Sequence, residues 1–122
     1  MRTILTVDDS TSMRQMVRAT LQSAGYDVVE AADGQEALEF ARGKAVDLVI
    51  SDVNMPRMDG ITLVSELRAL PGYRLTPLLL LTTESGQDKK LEGKRAGATG
   101  WIVKPFNPAQ LLTTLTKLFG NS

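Results

Sequence analysis

A chain of 122 residues with 14 basic and 14 acidic side chains has room for one core. It lacks the whole-molecule charge that gathers nucleic acid or an anionic membrane surface. It contains neither Cys nor His, which removes disulfides, thiolate chemistry, cysteine-based zinc sites and the usual proton shuttle, and leaves oxygen and amine groups for any chemistry. No signal-peptide pattern opens it and no apolar run approaches the roughly 20 residues of a membrane span. One domain over 1–122 is expected, cytoplasmic, with neither nucleic acid nor a membrane as partner.

In chain order, the apolar run at 3–7 predicts a strand, and 12–24, ending at Gly25, a helix. A strand at 28–31 precedes a helix at 35–42 that stops at Gly43, and a strand at 47–51 precedes a helix at 61–70 that stops at Pro71. The run LLLL lies in a strand at 78–82, followed by a helix at 88–96 before Gly97, a short strand at 101–103, and a last helix at 108–119 before Gly120. Strands alternating with helices of this length predict right-handed crossovers and a parallel sheet covered on both faces. Four consecutive leucines fit a strand buried on both sides. Only 120–122 follow the last helix, so no attached output module is expected.

In such sheets the ligand site lies beyond the carboxyl ends of the strands, where strand order reverses. Asp8 and Asp9 end the first predicted strand, Asp52 the third, Thr82 the fourth and Lys104 the fifth. If the first and third strands are neighbours, three carboxylates share one pocket. Two unit charges about 5 Å apart repel by roughly 3 kcal/mol at an effective dielectric near 20, a large share of the roughly 5–15 kcal/mol that holds a domain together. A hard divalent cation relieves that repulsion, and oxygen-only donors suit Mg²⁺. Lys104 and Thr82 add an amine and a hydroxyl, and the set forms a cradle for a trianionic group. A carboxylate there can attack phosphorus in line and become a labile acyl phosphate. Each piece also has a local reading. Asp8 and Asp9 can complement a helix dipole with Ser10 or Ser12 as N-cap, Asp52 can belong to a turn with Asn54, Pro56 and Gly60, Lys104 can be a surface lysine and Thr82 a cap. The joint placement at strand ends favours the chemical reading.

The segments VDDS (7–10), SDVNMPRMDG (51–60), LTTE (81–84) and GWIVKPF (100–106) together resemble the bacterial response-regulator receiver domain, in particular its single-domain, CheY-like chemotaxis members. The resemblance covers the whole chain. It implies a flavodoxin-like (βα)5 fold, a doubly wound five-stranded parallel sheet of order 2-1-3-4-5 in three αβα layers. It implies that Asp52 accepts the phosphoryl group, that Asp9, Asp52 and the main-chain carbonyl of Asn54 bind Mg²⁺ directly with Asp8 acting through water, and that Lys104 and Thr82 contact the phosphoryl oxygens. The Lys104-Pro105 bond is implied to be cis. Asn54 and Glu84 stand where relatives tune dephosphorylation, and the pair matches quick-resetting regulators. Trp101 takes the switch position, where Tyr or Phe is usual and an indole is larger than a phenol.

The domain so implied is no enzyme in the ordinary sense, although it catalyses its own phosphorylation and dephosphorylation. Its implied partners are a CheA-like sensor histidine kinase and a target, such as the flagellar motor switch, on the face of the fourth helix, fifth strand and fifth helix; a phosphatase is a further candidate. Lys89, Lys90, Lys94 and Arg95 beside Trp101 suit an acidic docking partner, although such charges also serve as a solvated helix face. A phosphate sink, a phosphorelay or a twitching-motility role is the alternative. A flavodoxin needs a phosphate loop where this chain has acids, a haloacid-dehalogenase phosphatase needs D-x-D, and a P-loop is absent. A receiver-like scaffold that is never phosphorylated should have lost one of the key residues, and none is missing.

Overall fold

The structure is a computed structural model that describes residues 2–83, 87–104 and 107–120, with backbone alone at 87 and 88. Pro105, and with it the expected cis bond, lies outside the described residues. Strands β1 (Thr3–Val7), β2 (Asp27–Ala31), β3 (Leu48–Asp52), β4 (Leu78–Thr82) and β5 (Gly100–Val103) alternate with helices α1 (Thr11–Ser23), α2 (Gly34–Gly43), α3 (Gly60–Arg68), α4 (Gln87–Ala96) and α5 (Pro108–Phe119). They form one sheet of order β2-β1-β3-β4-β5, parallel at every pairing. This is the flavodoxin-like arrangement, and β1 and β3 are neighbours with Val7 opposite Ser51.

Period-two alternation sends side chains to two cores. Leu5, Val7, Val49, Leu78 and Leu80 join the layer of Leu63, Val64 and Leu67 of α3. Ile4, Leu48, Ile50, Leu79 and Leu81 meet Val17 and Leu21 of α1 and Leu111 and Leu115 of α5. Leu78 to Leu81 are all at most 3% exposed, which at roughly 1.5–3 kcal/mol per buried leucine anchors the centre of the sheet.

Most boundaries shift from the sequence reading by a single residue, and two of the differences have a visible cause. β3 runs one residue later: Asp47 still donates its N–H to the Thr3 carbonyl at 2.8 Å, but its side-chain Oδ2 accepts the Thr3 N–H at 2.7 Å, while Asp52 stays in the ladder opposite Leu81. α3 ends at Arg68, and a 3₁₀ turn at Pro71–Tyr73 follows. There the Arg68 guanidinium donates to the carbonyls of Gly97, Tyr73 and Thr76 at 2.9, 2.7 and 2.7 Å.

The helix starts are fixed by side-chain caps. Ser10 Oγ accepts from Met13 N–H, Asp33 Oδ1 from Glu36 N–H, Asp59 Oδ1 from Thr62 N–H, and Asn107 Oδ1 from Ala109 and Gln110 N–H. At Gly60 a β-carbon would collide with the main-chain oxygen of Asp52. The bare backbone lets α3 start against the end of β3, where Gly60 N–H donates to Val53 C=O at 2.8 Å. Among the described residues no helix is long and apolar enough to cross a membrane.

Candidate functional site

The carboxyl ends of β1, β3 and β5 converge. Asp8, Asp9 and Asp52 each offer a carboxylate oxygen within 4.8 Å of the others. Asp8 and Asp52 are buried at 3% and 7% exposure, and Asp9 faces solvent. Asp8 is held on all sides. Its N–H donates to Ala31 C=O at 3.2 Å, Oδ1 accepts from Ser10 N–H at 2.9 Å, and its carbonyl accepts from Arg14 Nη1 at 2.6 Å. Arg14 is itself braced by Glu30 at 3.3 Å, and Glu30 also pairs with Arg18 at 2.7 Å.

Lys104 lies among the acids. Its Nζ is 3.0 Å from Asp52 Oδ1 and 3.4 Å from Asp8 Oδ2. Burial pushes the Asp52 carboxyl above its ordinary pKa; the hydrogen bond from Lys104 pulls the other way, and the nearby charge of Asp8 adds to the rise. Burial alone would lower the Lys104 ammonium, but its hydrogen bond with Asp52, with the charges of Asp52 and Asp8, outweighs this and raises it. One half-buried cation therefore serves two buried anions, with a third carboxylate at the rim.

Thr82 is buried at the end of β4, and its carbonyl accepts from Lys104 N–H at 2.7 Å, which ties the ends of β4 and β5 together. Asn54 is exposed in the loop after β3. Trp101 sits on β5 opposite Leu80, away from the acid cluster in register and half-buried. Glu84 lies outside the described residues.

The sequence reading passed over a second pairing beside the site. Asp33 caps α2 with one oxygen and accepts from Arg57 Nε and Nη2 with the other, at 2.9 and 2.6 Å. This ties the β3–α3 loop to the start of α2. The D-x-x-E spacing of Asp33 and Glu36 is a capping-box signal that could have placed the cap. Nothing in sequence marks Arg57, which sits at φ 66° in the left-handed region that non-glycine residues rarely adopt. The cap hydrogen bond from Glu36 N–H holds the Asp33 carboxyl below its ordinary pKa, with Arg57 adding to it and burial opposing. Its contribution to stability is therefore present above the unfolded carboxyl pKa and lost as pH falls through the folded one. The Arg57 side chain is 62% exposed, so Arg57→Ala is expected to cost less than about 1 kcal/mol. Chemical denaturation at low and high salt checks this, and the loss should shrink at high salt.

With this geometry the chain can hold a hard cation on carboxylate oxygens and present one buried carboxylate next to an ammonium. The fold and site define a response regulator receiver domain: the chain belongs to that family, which it matches over residues 4–116. Within the family it is similar to chemotaxis proteins of the CheY type. It is 39% identical to chemotaxis protein CheY1 of Helicobacter pylori, with 98% of each chain covered. It shares 56% identity and a TM-score of 0.93 with the structure of Vibrio cholerae chemotaxis protein CheY4, over 97% of this chain and 98% of that one. The receiver domain of Pseudomonas aeruginosa sensor histidine kinase PA1611, solved with a magnesium ion coordinated in its active-site cleft, is 31% identical with a TM-score of 0.91, over 98% of both chains. The chain is thus a CheY-like response regulator receiver domain of the two-component class.

Proposed function

We propose that the chain is a cytoplasmic receiver domain spanning 1–122, in which Asp52 accepts a phosphoryl group from a CheA-like sensor histidine kinase. The convergence of Asp8, Asp9, Asp52 and Lys104 on one buried point carries this reading. An Asp52 carboxylate oxygen forms a bond to phosphorus as the phosphorus–nitrogen bond of a phosphohistidine breaks; the electron pair stays on the imidazole nitrogen, which takes up a proton. Lys104 offsets charge on the transferring oxygens, and Thr82, at the adjacent strand end, supplies a hydroxyl donor.

Asp8, Asp9, Asp52 and the carbonyl of Asn54 are the groups that would hold Mg²⁺, and their all-oxygen chemistry fits that ion. Bound there, the ion supplies charge neutralisation for the carboxylates and the phosphoryl oxygens. Asn54 and Glu84 set how quickly water removes the group. The output is a change in affinity for a target, such as the flagellar motor switch, on the α4–β5–α5 face. That face carries a cavity of about 250 Å³ lined by Trp101, Ile102, Val103, Asn107, Gln110 and Leu111, with Lys90 and Lys94 nearby around Trp101.

Incubation with acetyl phosphate and Mg²⁺ is expected to add the mass of one phosphoryl group, on the peptide containing Asp52, and chelation with EDTA should prevent it. Unchanged mass in the presence of Mg²⁺, or label on another residue, would sink the proposal. Retention of a target from a motile cell extract by the phosphorylated form alone would extend it to the output face.

A further inference from the structure

α4 is a helix with almost nothing of its own to bury. Of its described side chains, Lys89, Lys90 and Ala96 are half-buried, and Leu91, Glu92, Lys94 and Arg95 are exposed. Among the described residues of α4 the one that is buried is Gly93. A glycine inside a helix sacrifices backbone entropy and helix propensity, so its presence at the single buried position needs a physical reason. The reason lies across the gap, on β5. A β-carbon at position 93 would stand 2.7 Å from Cζ3 and 3.3 Å from Cε3 of Trp101, and 2.9 Å from Cδ1 of Leu80. The benzo ring of the indole occupies the space that any side chain at 93 would need. The usual arrangement, in which a helix inserts knobs into the surface beneath it, is reversed: a strand residue enters the helix.

The indole is also balanced between opposing forces. Burial of its ring against Leu80 and the α3-side core favours the seat. Its Nε1–H is buried there without a hydrogen-bond partner, which opposes it. An outward position returns the N–H to water and gives up the ring burial. The unpartnered N–H therefore offsets part of what burying the ring contributes.

We propose that Gly93 is a positioning residue. Its bare backbone forms the notch that seats Trp101, and this contact holds α4 on the sheet, so that the helix moves with the indole. The pairing stands whether or not Asp52 is phosphorylated. If it is, the notch gives the α4–β5 face a mechanical link between ring position and helix position.

The test uses the unphosphorylated full chain, in which Trp101 is the sole tryptophan. Gly93→Ala is expected to shift Trp101 emission to the red, increase its quenching by acrylamide and lower the thermal midpoint. In the Trp101→Ala background the same substitution should raise the midpoint, because the end of the Leu80 side chain can then move into the space the indole leaves and alanine acts mainly as a better helix former. That reversal of sign is what a merely structural glycine would not give. A Gly93→Ala protein with unchanged emission and quenching and a higher midpoint would overturn the notch. Independently of that variant, Trp101→Ala should speed hydrogen exchange of the α4 amides relative to those of β1 and β3. Unaltered α4 protection would overturn the claim that the indole holds the helix.

Discussion

Asp52→Asn is expected to raise the thermal midpoint of the metal-free protein by roughly 4–8 °C, the equivalent of 1–2 kcal/mol in a domain of this size, and to abolish phosphoryl uptake. The sign follows from competing charges. At separations within 4.8 Å, each carboxylate pair repels by at least about 3.5 kcal/mol at an effective dielectric near 20, so Asp8 and Asp9 together set roughly 7 kcal/mol against Asp52. Lys104 at 3.0 Å returns about 5.5 kcal/mol on the same scale. Burial of Asp52 adds to this, and it is burial first, with the Asp8 charge behind it and Lys104 opposing, that holds the carboxyl above its ordinary pKa.

Asparagine keeps the shape and an acceptor for Lys104 while removing the charge. Because the folded pKa is raised, Asp52 stabilises the fold below its unfolded pKa of about 3.9, and that contribution is lost as pH rises through the folded value. The advantage of the variant should therefore be full at neutral pH and should fade in acid. Saturating Mg²⁺ should stabilise the parent more than the variant, since stabilisation grows with the ratio of ligand to dissociation constant. Thermal scans with EDTA and with Mg²⁺, at neutral and mildly acid pH, measure all of this. A metal-free midpoint equal to or below that of the parent would sink the crowding argument.

The architecture was legible because its two periods are. Apolar runs such as Leu78 to Leu81, broken by helical segments with Gly or Pro at their ends, leave few folds open, and the parallel sheet places the ends of β1 and β3 side by side. The off-by-one start of β3 has a definite cause: both Asp47 and Asp52 flank the same apolar run, and composition cannot say which acid stays in the ladder. The sequence reading set Lys104 across from the acids, and what it could not place is the pair of ionic contacts with Asp8 and Asp52. Two buried anions attract the nearest flexible cation, and that depends on three-dimensional reach. Arg68 is harder still. Its carbonyl partner at Gly97 lies 29 positions away, and no local pattern announces a guanidinium that closes a distant turn. Arg57, with its positive φ, and Gly93, whose value lies in what it leaves empty, have signals only in coordinates.

Lys104→Met should have the opposite sign to Asp52→Asn, and a larger size. The methionine fills similar space without charge, leaving Asp8 and Asp52 buried with no cation at 3.4 and 3.0 Å. Breaking a buried pair in this way costs about 3–5 kcal/mol. Proton uptake sets a ceiling: neutralising one carboxyl of ordinary pKa near 3.9 at pH 7 costs about 4 kcal/mol, so the cluster will take a proton before it bears a greater penalty. The loss should accordingly be near that ceiling at neutral pH and shrink on acidification. A raised folded pKa means that stability is recovered as pH falls back through it. The metal-free variant should thus become more stable between pH 7 and 5, a range in which an acid cluster held by its own lysine gains less. Saturating Mg²⁺ should restore much of the deficit at neutral pH, because the cation takes over the neutralising role of the lost ammonium. Denaturant titrations at pH 5 and 7, each with EDTA or Mg²⁺, separate these contributions. A deficit that ignored both pH and Mg²⁺ would show that Lys104 acts through packing of its aliphatic stem rather than through charge.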